Sequence, residues 1–175
     1  ALGVPGLLLA VPAVRVAALA VAPLGIAFAA VVAAGAERSA SGEVLAAATL
    51  AGVSVPVALA SGIDRGSAVG AWLVWVLGFV AVAIPVRSIG AQRRATASAS
   101  ERLLPVTGVL ALALALRGTV FSWLELFALA PLVVSGAFLA IARPEPRRLR
   151  QIGWSVVGSM LCTSAVLLLA ARRNT

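Results

Sequence analysis

Histidine, lysine and tyrosine are absent from this chain, aspartate occurs once, at Asp64, and cysteine once, at Cys162. Each shortage closes a route. Without imidazole there is no side-chain base tuned to neutral pH, no haem ligand and no ordinary transition-metal site. Without a lysine amine there is no Schiff base. One cysteine cannot make an intrachain disulfide, and Cys162 stands inside an apolar run where a small core residue is expected. A single aspartate leaves nothing from which to build the Asp-rich motifs that hold Mg²⁺ against pyrophosphate. The expectation is a chain that uses no metal or other cofactor and has no recognisable catalytic set, which leans against an enzyme without deciding it.

Charge is scarce as well: 11% of residues are charged and 62% hydrophobic, with a mean hydropathy of +1.08. Soluble domains of this length do not normally reach such a value. The 14 basic residues are all arginine and outnumber six acidic ones, giving a net charge of +8 that ordinary pH cannot remove. In a soluble domain a pI near 11.9 would suggest nucleic acid. Here the arginines fall in short segments between apolar runs, which is how a membrane protein marks its cytoplasmic face and meets anionic lipid headgroups. Nucleic acid is therefore excluded as a partner. Arginine-only basicity with abundant Ala and Val points to a GC-rich bacterial genome, and so to the bacterial inner (cytoplasmic) membrane.

A helix needs about 20 apolar residues to cross a hydrocarbon core of roughly 30 Å. Measured against that length, the sequence predicts an all-α, polytopic transmembrane bundle in a single domain, 1–175, with about six spans: 16–34, 43–60, 68–86, 103–116, 119–142 and 152–171. An apolar piece at 1–14, set off by Arg15, reads as the stump of a further helix, so a missing N-terminal portion is expected. Pro56 should kink the second span, and Pro85 with Arg87 should end the third. The run 103–116 is short and must borrow from 97–102 or lie against a locally thinned bilayer to cross. Arg117 and Gly118 read as a very short turn into the fifth run. Two basic segments complete the pattern: 87–102, a loop or a short interfacial helix, and the loop 143–150, whose two prolines exclude a regular helix.

Loops alternate sides along six crossings. One face collects nine arginines (38, 87, 93, 94, 102, 143, 147, 148 and 150) and the other five (15, 65, 117, 172 and 173). The richer face is expected to be cytoplasmic.

Polar side chains within apolar runs are the candidates for chemistry. Glu125 reads either as a proton or cation site, or a contact to a polar headgroup, or as an interfacial carboxylate reaching water or Arg117. Glu43 reads as helix N-terminal chemistry or, with Arg38, as a headgroup contact. Asp64 and Arg65 read as a solvated turn pair. Arg87, Arg93, Arg94, Arg147, Arg148 and Arg150 are candidate phosphate or lipid-headgroup contacts, because guanidinium pairs with those oxygens in a bidentate fashion. Ser155, Ser159 and Thr163 form a small-residue stripe for close helix packing. Trp72, Trp75, Trp123 and Trp154 read as interface anchors, one of which could line a ligand groove.

The stretch Glu37-Arg38-Ser39 with Gly42-Glu43, then Ala60-Ser61-Gly62, Trp72 and Val86-Arg87, resembles the YwiC-like family of bacterial membrane proteins. So does the run from Arg148 through Gln151-Ile152-Gly153-Trp154-Ser155 to Gly158. Members carry an N-terminal His-Gly-Ala-Trp segment and further spans, so the resemblance also implies a missing beginning; it implies no activity. The spacing is similar, more distantly, to the later helices of UbiA-type prenyltransferases, although the 87–102 loop has arginines and only Glu101 where those enzymes place aspartates. The leading expectation is a multi-pass protein that binds a lipid-like or hydrophobic ligand or supports a membrane complex, with a membrane-protein partner or a second copy of itself. The alternatives are a UbiA-like lipid-modifying transferase and a small transporter coupled through Glu125.

Overall fold

The computed structural model describes residues 11–91, 99–142 and 148–173. Its regular elements are helices: α1 (Pro12–Ala33), α2 (Ala40–Gly52), α3 (Ser54–Ala60), α4 (Arg65–Ala91), α5 (Ala99–Ala115), α6 (Trp123–Ala142) and α7 (Leu149–Arg173). They form two compact units, one of residues 1–76 with the 171–175 end and one of residues 77–170. The sequence expectation for 1–10 falls outside the described residues.

In the first unit, α1 begins earlier than expected. Pro12 opens it, where a missing N–H costs nothing, and Arg15 lies in its opening turns rather than ahead of it. A long arginine near a helix end can extend its head beyond the apolar surface, so it need not end the helix. The following turn is held by Ser39, whose Oγ accepts from Gly42 N–H at 3.0 Å and donates to Ala36 O at 2.7 Å. The expected second span is divided at Val53 into α2 and α3. Pro56 has no N–H for the Gly52 carbonyl and its ring crowds that oxygen, so the break falls one turn ahead of the proline.

Close packing in this unit depends on small and polar side chains. Thr49 Oγ1 donates to Leu24 O of α1 at 3.1 Å and to Leu45 O of its own helix at 2.8 Å. A Cβ at Gly52 would lie 2.9 Å from Val21 Cγ1, so α1 and α2 approach here only because the side chain is absent. Trp72 Nε1 donates to Ala48 O at 3.0 Å and ties α4 to α2.

The turn into α4 carries Gly62 at φ 85° and then Asp64, whose Oδ1 accepts from Ser67 N–H at 3.0 Å. Those hydrogen bonds to Ser67 hold the Asp64 carboxyl below its ordinary value of 3.8. The contribution is complete above that value and is lost as pH falls through the depressed folded pKa. Asp64→Ala is expected to cost about 0.5–1 kcal/mol of helix stability at neutral pH. In thermal melts of the detergent-solubilised protein, the gap from the parent should close on acidification; a gap unchanged down to pH 2 would refute the cap.

In the second unit, α4 does not stop at Pro85 or Arg87 as expected but runs on to Ala91, with Pro85 buried inside it. The proline leaves the Ala81 carbonyl without its helical donor. Gly136 of α6 seats directly on that carbonyl, and a Cβ there would overlap the oxygen. Three residues earlier on α4, Gly78 leaves the space that Leu132 fills. The pairings 78 with 132 and 81 with 136 make α4 and α6 parallel neighbours. α5 runs antiparallel to α6: Val106 also meets Gly136, and Arg102 Nη1 donates to Ala140 O at 3.1 Å. Arg102 lies within α5, which begins at Ala99. Polar residues ahead of the short apolar run therefore belong to the same helix.

The passage from α5 to α6 is longer than expected. Residues 119–122 are not helical: Gly118, at φ 86°, donates to Phe121 O, and Val120 and Phe121 donate back to Leu116 O. Against α6, Thr163 Oγ1 of α7 donates to Ala128 O at 2.8 Å, and the Ser159 and Ser135 hydroxyls are hydrogen bonded at 2.5 Å. Two members of the serine–threonine stripe thus face a helix, as close packing requires, while Ser155 bonds to its own helix at Ile152 O.

Among the described residues, five stretches are long and apolar enough to cross a membrane: Pro12–Ala33, Ala40–Ala60, Arg65–Arg87, Trp123–Ala142 and Arg150–Arg172. With 17 residues, α5 reaches only about 26 Å. The outward surface is apolar, with Ile26, Phe127, Val134, Phe138, Leu161 and Leu168 each more than 60% exposed.

Candidate functional site

In the first unit, α1, α3 and the start of α4 enclose a groove of about 250 Å³. Ala17, Ala20 and Val21 form one wall, Val55 and Leu59 another, and Val69 and Trp72 a third; Arg65 is the only charged residue lining it. The alanines of α1 leave the width, because larger residues at those positions would close it. At the deep end, the Trp72 N–H is already committed to Ala48 O and the Thr49 hydroxyl to backbone carbonyls. That end offers a ligand only carbon and an indole face. At the other end Arg65 has no ion-pair or hydrogen-bond partner among the described residues, because Asp64 is turned to Ser67. Sequence adjacency suggested a turn pair; the structure gives the two residues separate tasks.

A second apolar groove, also about 250 Å³, lies between α5 and α6 and is lined by Leu110, Leu114, Trp123, Phe127 and Val134 among others, with no charged residue. A third, broader recess of about 620 Å³ is formed by Arg148, Arg150, Gln151 and Trp154 at the start of α7. Both arginines are exposed there, beside an indole suited to the headgroup level.

Glu125 is buried, at 6% exposure, and lines none of these three spaces. It sits in the first turn of α6, where its Oε2 accepts from Ser122 N–H at 2.6 Å while Glu125 N–H approaches Ser122 Oγ at 3.5 Å. This is a reciprocal helix cap in which the carboxylate supplies the strong arm. Arg117 does not meet Glu125; its guanidinium stacks 3.9 Å over the Trp123 ring.

No family model, curated protein or solved structure matches the chain.

Of the other sequence candidates, Arg38 is exposed in the turn before α2 and Glu43 is half-buried in its first turn. Arg87 is exposed on α4. Arg93, Arg94 and Arg147 lie outside the described residues. Trp72, expected at an interface, instead lies about 10 Å along α4 from its first residue, where it packs on α2 and lines the groove. Two features escaped the sequence reading. Glu37 has a buried Oε2 with no hydrogen-bond partner among the described residues, and nothing in its local pattern signals that. The cap at Ser122-Trp123-Leu124-Glu125 did have a signal, the Ser-x-x-Glu spacing, hidden within an apolar run.

Proposed function

We propose that this chain is a multi-pass protein of the bacterial inner membrane that holds a lipid-like amphiphile in the groove of its first unit, without catalysing a reaction on it. The observation that carries this reading is the groove itself: an apolar trough of about 250 Å³ whose lining includes one arginine, Arg65, unpaired among the described residues. Five membrane-length helices and an apolar outer surface are what a bilayer solvent requires. The arginine bias orients the 34–39, 87–102 and 143–150 segments to the cytoplasm. There Arg148, Arg150 and Trp154 would rest against anionic headgroups. The resemblance to YwiC-like proteins is compatible with this reading and adds no activity to it. A coupling role for Glu125 draws no support from its geometry, since its carboxylate is engaged as a helix cap.

The test is retention of lipid. Protein purified in mild detergent should carry bound lipid detectable by native mass spectrometry. Ala20→Phe, which places a ring in the trough, should lower retention about tenfold, equivalent to 1.4 kcal/mol. Equal retention by parent and variant would overturn the reading.

A further inference from the structure

We infer that the groove selects an anionic lipid, one hydrocarbon chain lying along α1 and the acidic headgroup held by Arg65. This rests on the proposal that the groove holds a lipid, and it adds the charge class of the ligand and the residue that reads it.

Length is the first argument. The lining residues of α1 run from Ala13 to Leu24, about 16 Å along the helix axis. That is close to half of a hydrocarbon core of roughly 30 Å. The trough therefore matches an acyl chain entering from one leaflet rather than a molecule crossing both.

Polarity is the second. The polar groups near the deep end are saturated within the protein: Trp72 Nε1 by Ala48 O, and Thr49 Oγ1 by Leu24 O and Leu45 O. No donor is left there to hold a second polar group, so the ligand must be polar at one end only. That end meets Arg65, the first residue of α4, where the apolar stretch begins.

Charge is the third. A guanidinium presents five N–H donors in a planar fork that fits phosphate or carboxylate oxygens. The nearest carboxylate in sequence, Asp64, is spent on Ser67 N–H, so the fork has no internal acceptor among the described residues. A zwitterionic headgroup would bring its own cation to a mouth whose described lining residues include no carboxylate.

The experiment compares phosphatidylglycerol with phosphatidylcholine of identical chains, titrated onto the full chain in detergent at low salt and read by native mass spectrometry. The parent should bind the anionic lipid about tenfold tighter. Arg65→Gln should bring the two within about twofold by weakening the anionic lipid alone, and Arg65→Lys, which keeps charge but loses the fork, should fall between. Unchanged circular dichroism and melting temperature would show that each variant is folded. Equal binding of the two lipids by the parent would overturn the inference. So would a preference that survives Arg65→Gln but disappears in the Arg148→Gln, Arg150→Gln double variant, since selectivity would then belong to the start of α7. Ala20→Phe separates this failure from that of the underlying reading: if it weakens both lipids equally while no charge preference exists, the groove holds lipid without selecting it. If it weakens neither, the groove is not the site.

Discussion

Gly136→Val is expected to be the most damaging single substitution in the chain. A side chain at that position points at the Ala81 carbonyl, and backbone oxygen cannot swing aside as a flexible side chain can. To accept even a Cβ, α6 must move away from α4, which also separates Leu132 from the space beside Gly78 and disturbs the contact with Val106. Overpacking of a core typically costs about 1–3 kcal/mol, and a rigid backbone obstacle places this case at or above the upper end. At about 2–4 °C per kcal/mol for a chain of this size, the melting temperature should fall by roughly 6–12 °C. Gly158→Ala supplies the contrast. A Cβ at Gly158 meets nothing within 4 Å, so this change should be neutral or slightly stabilising through helix propensity. Similar losses from both glycine substitutions would refute the close α4–α6 contact.

Glu125 carries the second large effect. Glu125→Ala should destabilise the protein by about 1–3 kcal/mol, because the Ser122 N–H then loses its acceptor in a site where the side chain was buried. Glu125→Gln keeps an amide oxygen in place and should cost less than about 1 kcal/mol. Ser122→Ala should also be mild, since the bond it removes is long, at 3.5 Å. The order Ala much worse than Gln, read from thermal melts of the purified protein, identifies a cap. A carboxylate retained for proton or cation coupling would behave differently: the Gln variant would fold as well as the parent and the Ala variant would be no less stable than Gln. Stability alone therefore discriminates the roles, without an activity assay.

Much of the helical layout was legible because a membrane-length helix is specified by composition over some 20 residues, a signal that single residues barely disturb. The all-helical class and the approximate centres of the runs come from that signal. Helix ends did not, and the reasons are particular. Pro85 marks a boundary only if its freed carbonyl has nowhere to go; Gly136, on a helix two elements later, gives it a neighbour. Arg15 interrupts an apolar run without interrupting the helix. Thr119 continues the run in hydropathy while the backbone at Gly118 has already turned. The candidate groove was invisible for a related reason. Its walls come from three helices, and no single segment shows which faces of α1, α3 and α4 gather around Arg65. Adjacent Asp64 and Arg65 looked like a solvated pair because sequence records neighbourhood but not direction. The Ser122–Glu125 spacing could have been read from sequence and would have moved Glu125 from the interior of a span to its first turn.

The parallel contact between α4 and α6 bears on how such a chain would be assembled. Each span can enter a bilayer on its own hydropathy, but Ala81 and Gly136 are separated by a full out-and-back excursion through α5. Until α6 arrives, the carbonyl released by Pro85 has no glycine seated on it, and a nascent chain ending after α5 would hold an uncovered polar group at membrane depth. A Gly136 variant would make that contact only with α6 displaced, the same loss that lowers its melting temperature.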